Sequence, residues 1–430
     1  VTARAADREE MNDALTVDVP VHPWGMEYAD QDGGVAQADA TALLALPDHK
    51  YSKRWLSVTV APALEHAILE MALDARPVPL PGPRIVRYGY NPGSELLAAV
   101  SALEYGQRGQ DAAAEIRQLI AKARRLTAEL VASQRDDGGW SWHGHQGKKT
   151  DWPSTCRTYW ALVTARDAGI AVNPDTINKA TNFLQNRFRN FGANDYDGKA
   201  VVLHALSINK QAEFANLNRL YRARNSLSNT ALAYTALGFQ NVNRAGVATE
   251  LAELLNSKLE KIKRPEPSPP VAYVKHGARY PYLQNNLETT ALALLLFAQT
   301  TPDSENGNAA AQYLMRQRGC FGWRPGKVRG PAIAALAAWF GTGVDSTTDY
   351  RVTVVVNGTE AGTVDSTKVR QTKLFEVSQD LLVDGENRVV FKMAGRGQYA
   401  YAATIRGFSP EIKNPGTIRY PHVRNRHYYH

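Results

Sequence analysis

Five stretches dense in alanine and leucine mark the middle of this chain: Tyr159-Trp-Ala-Leu-Val-Thr-Ala165, Ala200-Val-Val-Leu-His-Ala-Leu206, Ala231-Leu-Ala-Tyr-Thr-Ala-Leu237, Ala291-Leu-Ala-Leu-Leu-Leu-Phe-Ala298 and Ala332-Ile-Ala-Ala-Leu-Ala-Ala-Trp339. Their starts fall roughly 30 to 60 residues apart, a spacing that signals a helical repeat. Small side chains let helix axes approach closely, so these segments read as an inner layer. More polar segments such as Thr176–Arg189 and Arg244–Lys261 become their outer partners, which makes an α/α barrel. Apolar periodicity predicts about twelve helices, or six pairs: 62–75, 94–107, 112–133, 155–168, 175–190, 197–208, 211–223, 226–240, 244–261, 287–300, 305–318 and 329–341.

On either side of the helices the period changes to two. Val17/Val19/Val21 and Leu56/Val58/Val60 alternate, so Thr16–Val21, Ala40–Leu46 and Trp55–Val60 read as strands, punctuated by Pro23, Gly25 and Gly33-Gly34. After Gly343, Arg351–Val356, the Asn357-Gly358 turn and Ala361–Val364 form a hairpin, because Asn-Gly supplies the positive φ of a tight turn. Lys373–Val377, Asn387–Met393 and Tyr399–Ile405 add further strands. Neither flank has enough strands for a sandwich alone. One antiparallel β-sandwich built from both, with the helical barrel inserted between them, is the economical solution. The fold class is α+β multidomain. Residues 1–61 hold an N-terminal segment and the first β part, 62–343 the helices, 344–412 the second β part, and 413–430 a tail or the start of a following domain. The proline-rich stretches Arg76–Pro83 and Lys263–Tyr282 are loops.

The chain has 430 residues, 44% of them hydrophobic, enough for two or three ordinary cores. Its net charge of +8 comes without a dense Lys/Arg run, which argues against a nucleic-acid partner. Two cysteines, Cys156 and Cys320, exclude a disulfide framework, and sequence leaves open whether they pair. No apolar run reaches the ~18 residues that span a bilayer. The first residue is not Met, so the chain reads as a piece of a longer protein, and a missing export signal says nothing about compartment.

Gln134-Arg-Asp-Asp-Gly-Gly-Trp140 and Gln317-Arg-Gly-Cys-Phe-Gly-Trp323 each precede a helix and look like the turn motifs of α/α toroids. Among toroid proteins, the order β flank, six helix pairs, β flank resembles the bacterial α2-macroglobulin/complement family, as do Val19-Pro-Val-His-Pro-Trp-Gly25 and Tyr399-Ala-Tyr-Ala-Ala-Thr-Ile405. In that family a thioester-domain toroid interrupts a CUB-like β domain. The resemblance implies an extracytoplasmic protease trap, periplasmic, surface-bound or secreted, whose partners are neighbouring macroglobulin domains and target proteases. Many members carry a Cys-Gly-Glu-Gln thioester, in which side chains at i and i+3 meet in one turn behind water-excluding aromatics. The resembling position here, Arg76–Pro92, contains neither Cys nor Gln, so the chain reads as thioester-less and non-enzymatic, with no cofactor.

Other residues suggest chemistry of their own. Trp140, Trp142, His143 and His145 share one turn, but His-x-His gives only two of the ligands zinc needs, so aromatic packing at the barrel mouth is the simpler reading. Asp136-Asp137 reads as a hydrogen-bonded turn, and Asn194-Asp195-Tyr-Asp197 as a helix cap. Cys320 lacks the companions of a prenyltransferase zinc site. Lys275, His276, Arg279 and Tyr280 form a basic, tyrosine-bearing cluster. With Trp140 and His143 it could serve a polysaccharide lyase, Tyr280 or His276 abstracting a proton, or a carbohydrate-binding scaffold. The mouth residues Trp140, Trp142, His143, Lys275, His276 and Tyr280 are the binding candidates.

Overall fold

The computed structural model describes residues 2–3, 13–14, 26–73, 91–107, 112–141, 149–263, 268–318, 323, 325–341 and 349–411. These contain twelve α-helices: α1 (Leu64–Leu73), α2 (Pro92–Gly106), α3 (Ala113–Ala132), α4 (Trp152–Asp167), α5 (Pro174–Arg189), α6 (Tyr196–Ile208), α7 (Phe214–Arg222), α8 (Asn229–Asn241), α9 (Ala245–Asn256), α10 (Asn286–Thr300), α11 (Glu305–Gln317) and α12 (Arg329–Phe340). The even-numbered helices pack each against the next, and α12 packs against α2, which closes a ring. Each odd-numbered helix lies outside, against two neighbouring ring helices.

Composition decides which layer a helix joins. On α8 every residue from Thr230 to Phe239 is buried, as expected of a helix that is apolar all round. On α7 only Leu217 and Leu220 are buried, and the rest of the helix meets water. Four turns from a ring helix to its outer partner each pass through one left-handed residue: Gly169 (φ 82°), Lys210 (φ 56°), Asn243 (φ 60°) and Asp303 (φ 62°). Glycine is required where α2 meets its two ring neighbours, α4 and α12. A Cβ on Gly93 would lie 2.8 Å from Thr158 Oγ1, and one on Gly330 would lie 2.7 Å from the Ser94 carbonyl oxygen.

The strands are β1 (Thr2–Ala3), β2 (Asp13–Ala14), β3 (Met26–Ala36), β4 (Ala40–Ala45), β5 (Lys53–Ala61), β6 (Leu259–Ile262), β7 (Val271–Val274), β8 (Asp349–Val356), β9 (Thr359–Asp365), β10 (Lys373–Val377), β11 (Glu386–Arg396) and β12 (Tyr399–Ser409). Two four-stranded sheets run β10-β5-β12-β3 and β4-β11-β8-β9, and every pairing is antiparallel. Both sheets therefore combine strands from before and after the helices. Their inner residues, among them Leu44, Val58, Val354, Phe391 and Tyr401, belong to one hydrophobic cluster.

Three expectations need correction. The expected helix over 244–261 stops at Asn256, because β6 pairs with β7 and the latter buries Val271, Ala272 and Val274 against α10 and α11. Lys263–Tyr282 is accordingly not one continuous loop. Gly33-Gly34, read as punctuation, sits inside β3: a Cβ on Gly33 would meet the Tyr401 carbonyl oxygen at 2.6 Å, and one on Gly34 would meet Gln312 Oε1 at 2.5 Å. Close packing against β12 and α11 explains those glycines, where a turn was expected. The expected strand Thr16–Val21 and the tail after Glu411 lie outside the described residues.

Candidate functional site

The end of the ring where the even-numbered helices begin carries a row of polar capping side chains. Asn91, Asp151, Asp195, Ser228 and Asn285 each cap a ring helix through a side-chain oxygen. Over this end runs the segment that contains Lys275, His276 and Tyr280. Asn229 Nδ2 donates to the Lys275 carbonyl (2.8 Å), and the Thr230 amide and hydroxyl donate to the His276 carbonyl (3.2 and 3.1 Å). The Arg279 amide donates to Asp197 Oδ2 (2.7 Å), and the Tyr280 hydroxyl donates to Asp195. Asp195 also caps α6, as expected from sequence; the grip of Asp197 on the overlying segment was not foreseen.

Those bonds bear on proton transfer. His276 Nδ1 accepts from the Ala278 amide at 3.0 Å, so the neutral ring carries its proton on Nε2 and has no free basic nitrogen. Burial and Lys275 lower its pKa further. Burial and the hydrogen bond to Asp195 push the Tyr280 phenol up to about 12, so phenolate is scarce at neutral pH. Trp140 is nearly inaccessible, and its indole Nε1 donates to the Leu130 carbonyl (2.8 Å) in the last turn of α3. Trp323 does the same to Leu314 at the end of α11 (2.8 Å), so both tryptophans close an outer helix. Trp142, His143, His145 and Cys320 lie outside the described residues.

Inside the ring lies a cluster that the sequence did not announce. Glu288, at the start of α10, is held between Arg157 of α4 and Lys327, whose Nζ lies 2.5 Å from Glu288 Oε2. The Tyr234 hydroxyl donates to the same carboxylate (3.3 Å), and Lys327 also reaches the Tyr282 carbonyl and covers its ring at 3.9 Å. Glu288, Arg157, Lys327 and Tyr234 are buried and Tyr282 partly so; His204, which packs edge-on against Trp160 at 4.8 Å, is buried as well. Burial would raise the Glu288 pKa, but Lys327 and Arg157 outweigh it and hold the carboxyl below its ordinary range. Burial, aided by Arg157, lowers His204 to about 3, so it is neutral at physiological pH. A second carboxylate, Glu95 on α2, is held the same way by Lys122 (2.8 Å) and Arg329 (3.4 Å). The only sequence signal for either group was a charge placed early in an Ala/Leu-rich helix.

Chemically this arrangement offers no activated nucleophile. Cys156 is buried, and desolvation, reinforced by Asp151, pushes its thiol pKa far up. No group of three His, Cys, Asp or Glu side chains that could hold a metal occurs among the described residues. No described helix is long and apolar enough to cross a membrane.

No protein-family model and no curated protein sequence matches the chain. Solved structures do. Salmonella α2-macroglobulin reacted with methylamine is similar over 91% of this chain and 24% of its own, with TM-score 0.58 and 14% identity. The native conformation of Escherichia coli α2-macroglobulin is similar over 92% and 24%, with TM-score 0.57 and 15% identity. The crystal structure of the E. coli protein from domain MG7 to the C-terminus is similar over 91% and 59%, with TM-score 0.55 and 14% identity. The present chain thus spans 24% of the first of these relatives. The likeness first visible in the order of strands and helix pairs holds in three dimensions: over 91% of its length the chain has the fold of bacterial α2-macroglobulins.

Proposed function

We propose that this chain is the thioester-domain-like toroid and CUB-like β domain of a bacterial α2-macroglobulin-like protease trap, working without a thioester. The observation that carries the proposal is the likeness to bacterial α2-macroglobulins over 91% of the chain, combined with a segment from Arg76 to Pro92 that has neither Cys nor Gln. The remaining described cysteine, Cys156, is buried with a raised pKa and cannot substitute. The module acts by non-covalent docking against neighbouring macroglobulin domains, outside the cytoplasm. A protease cut elsewhere in the trap shifts the balance between two packings of this module, and differential contact in the two states does the work. The closed helical ring, with its carboxylates clamped between cations, suits a body that moves as a unit. The lyase reading fares worse, because His276 and Tyr280 are spent on holding their own segment.

The test uses the full-length protein that carries this chain, challenged with a protease. Retained protease that is released under denaturing conditions supports the proposal. A covalent adduct, or no retention at all, would refute it.

A further inference from the structure

Between the last turn of α5 and the length of α7, where both lean on α6, the outer face of the ring holds a recess of about 580 Å³. Phe188, Phe191, Tyr196, Leu206 and Leu220 line its depth, and Arg189, Lys199 and Arg219 stand around it with one carboxylate, Glu213. The charge is concentrated here. Residues 179–224 carry eight Lys or Arg against three Asp or Glu, which accounts for five of the chain's net eight positive charges. Two of those acids are already engaged: Asp195 by Tyr280, and Asp197 by Ser228 and Arg279. The three cations bond neutral oxygens instead. Arg189 reaches Asn186 Oδ1 (3.1 Å), Lys199 the Ala193 carbonyl (2.8 Å) and Arg219 Asn216 Oδ1 (3.3 Å). Cations are favourable at helix C-termini, which explains one arginine at each helix end but not their convergence on a hollow.

We infer that this recess docks an acidic polypeptide segment that inserts an apolar side chain. Three cations whose charge is not matched by a carboxylate of the described residues attract an acidic partner, and the apolar depth gives that partner an anchor. Gln185 and Gln211 on the same walls offer both donors and acceptors, which suits a peptide backbone; a phosphate chain would use only the donors. A flat bilayer would touch the rim without reaching the depth. This inference stands apart from the trap reading, since it requires neither a protease nor a conformational change.

The experiment titrates the chain into a short labelled peptide of alternating glutamate and leucine and follows fluorescence anisotropy at rising salt. Phosphatidylglycerol–phosphatidylcholine vesicles and oligothymidylate are run in parallel. Binding of the peptide should weaken with salt and fall about tenfold or more in Arg189→Glu/Lys199→Glu/Arg219→Glu. It should survive Arg388→Glu/Lys392→Glu, a comparable charge change at exposed positions of β11. Arg219→Ala, a single change at an exposed position, gives the same comparison at smaller amplitude should the triple variant not fold. Absent peptide binding, binding indifferent to the reversal, or vesicle or oligonucleotide binding through these residues in place of the peptide would overturn the inference.

Discussion

The hydroxyl of Tyr350 donates to the carbonyl of Pro62 at 2.7 Å, and so ties the chain two residues before the first helix to the first strand after the last one. The two are far apart in sequence, yet they sit together where the chain enters and leaves the helical ring. The same hydroxyl lies 3.0 Å from the Gln398 carbonyl. Tyr350 is buried, and burial raises its phenol pKa, so it is a neutral donor at any physiological pH.

Tyr350→Phe should therefore destabilise the protein by about 1–3 kcal/mol, because it leaves buried carbonyls without their donor while removing almost no apolar contact. Chemical denaturation of parent and variant measures this. An unchanged midpoint would mean that the junction contributes nothing to holding ring and sheets together.

A second joint lies between β3 and α11. Arg316 Nε donates to Asp32 at 2.6 Å with both side chains almost fully buried, while Gln312 Oε1 accepts from the Val35 amide at 2.9 Å. Removing one member of a buried ion pair strands the other, at about 3–5 kcal/mol. Replacing both with apolar side chains removes the stranded charge as well. Asp32→Leu alone and Arg316→Met alone should each unfold at markedly lower denaturant than the double variant. Additive losses in the double-mutant cycle would contradict this account.

Much of the fold was legible in the sequence, and the reason is local. Ala- and Leu-rich segments around 159–165, 200–206, 231–237, 291–298 and 332–339 must be buried all round, and each lies in a ring helix. The hairpin at Asn357-Gly358 follows from its turn residues, with φ of 49° and 91°. What stayed hidden depends on distant partners. β3 reads as an acidic, glycine-broken segment until Asp32 meets Arg316 and Gly33 meets β12. Glu288 and Arg157 are 131 positions apart, and nothing near either announces the other. The basic recess is equally non-local, since Arg189, Lys199 and Arg219 come from three helices. Of the mouth residues, Lys275, His276 and Tyr280 do share one segment, while Trp140 serves the end of α3 instead.

Acid should weaken the protein through the cluster inside the ring. The folded pKa of His204, about 3, lies below the ordinary 6.5, so the unfolded chain takes up this proton first as pH falls. The contribution is intact above pH 6.5 and declines toward pH 3 by about 1.4 kcal/mol per unit at most. Glu288, also depressed, adds stability above its ordinary value of 4.5 that is lost as pH drops through its folded pKa. His204→Phe keeps the ring-on-ring contacts with Trp160 and Tyr234 but cannot titrate. Its stability should change less than the parent's between pH 6.5 and about 4, a difference read from unfolding curves across that range. Parallel slopes for parent and variant would show that His204 is not the group responsible.

Cys156 supplies the last prediction. It lies one residue before Arg157, at 4% exposure, with its thiol pKa raised by burial and by Asp151. Thiolate is the reactive form, so both access and ionisation are denied in the native state. Iodoacetamide should leave Cys156 unmodified in the folded protein and alkylate it only after denaturant is added, as followed by peptide mass spectrometry. Methylamine should incorporate nowhere and release no new thiol, because the stretch from Arg76 to Pro92 has no cysteine or glutamine to form the internal ester. Rapid native alkylation of Cys156 would mean that the start of α4 opens far more readily than its packing against α2 and α5 implies. Methylamine incorporation would mean that an acyl group is stored elsewhere in the chain, and the non-covalent reading of its action would fall with it.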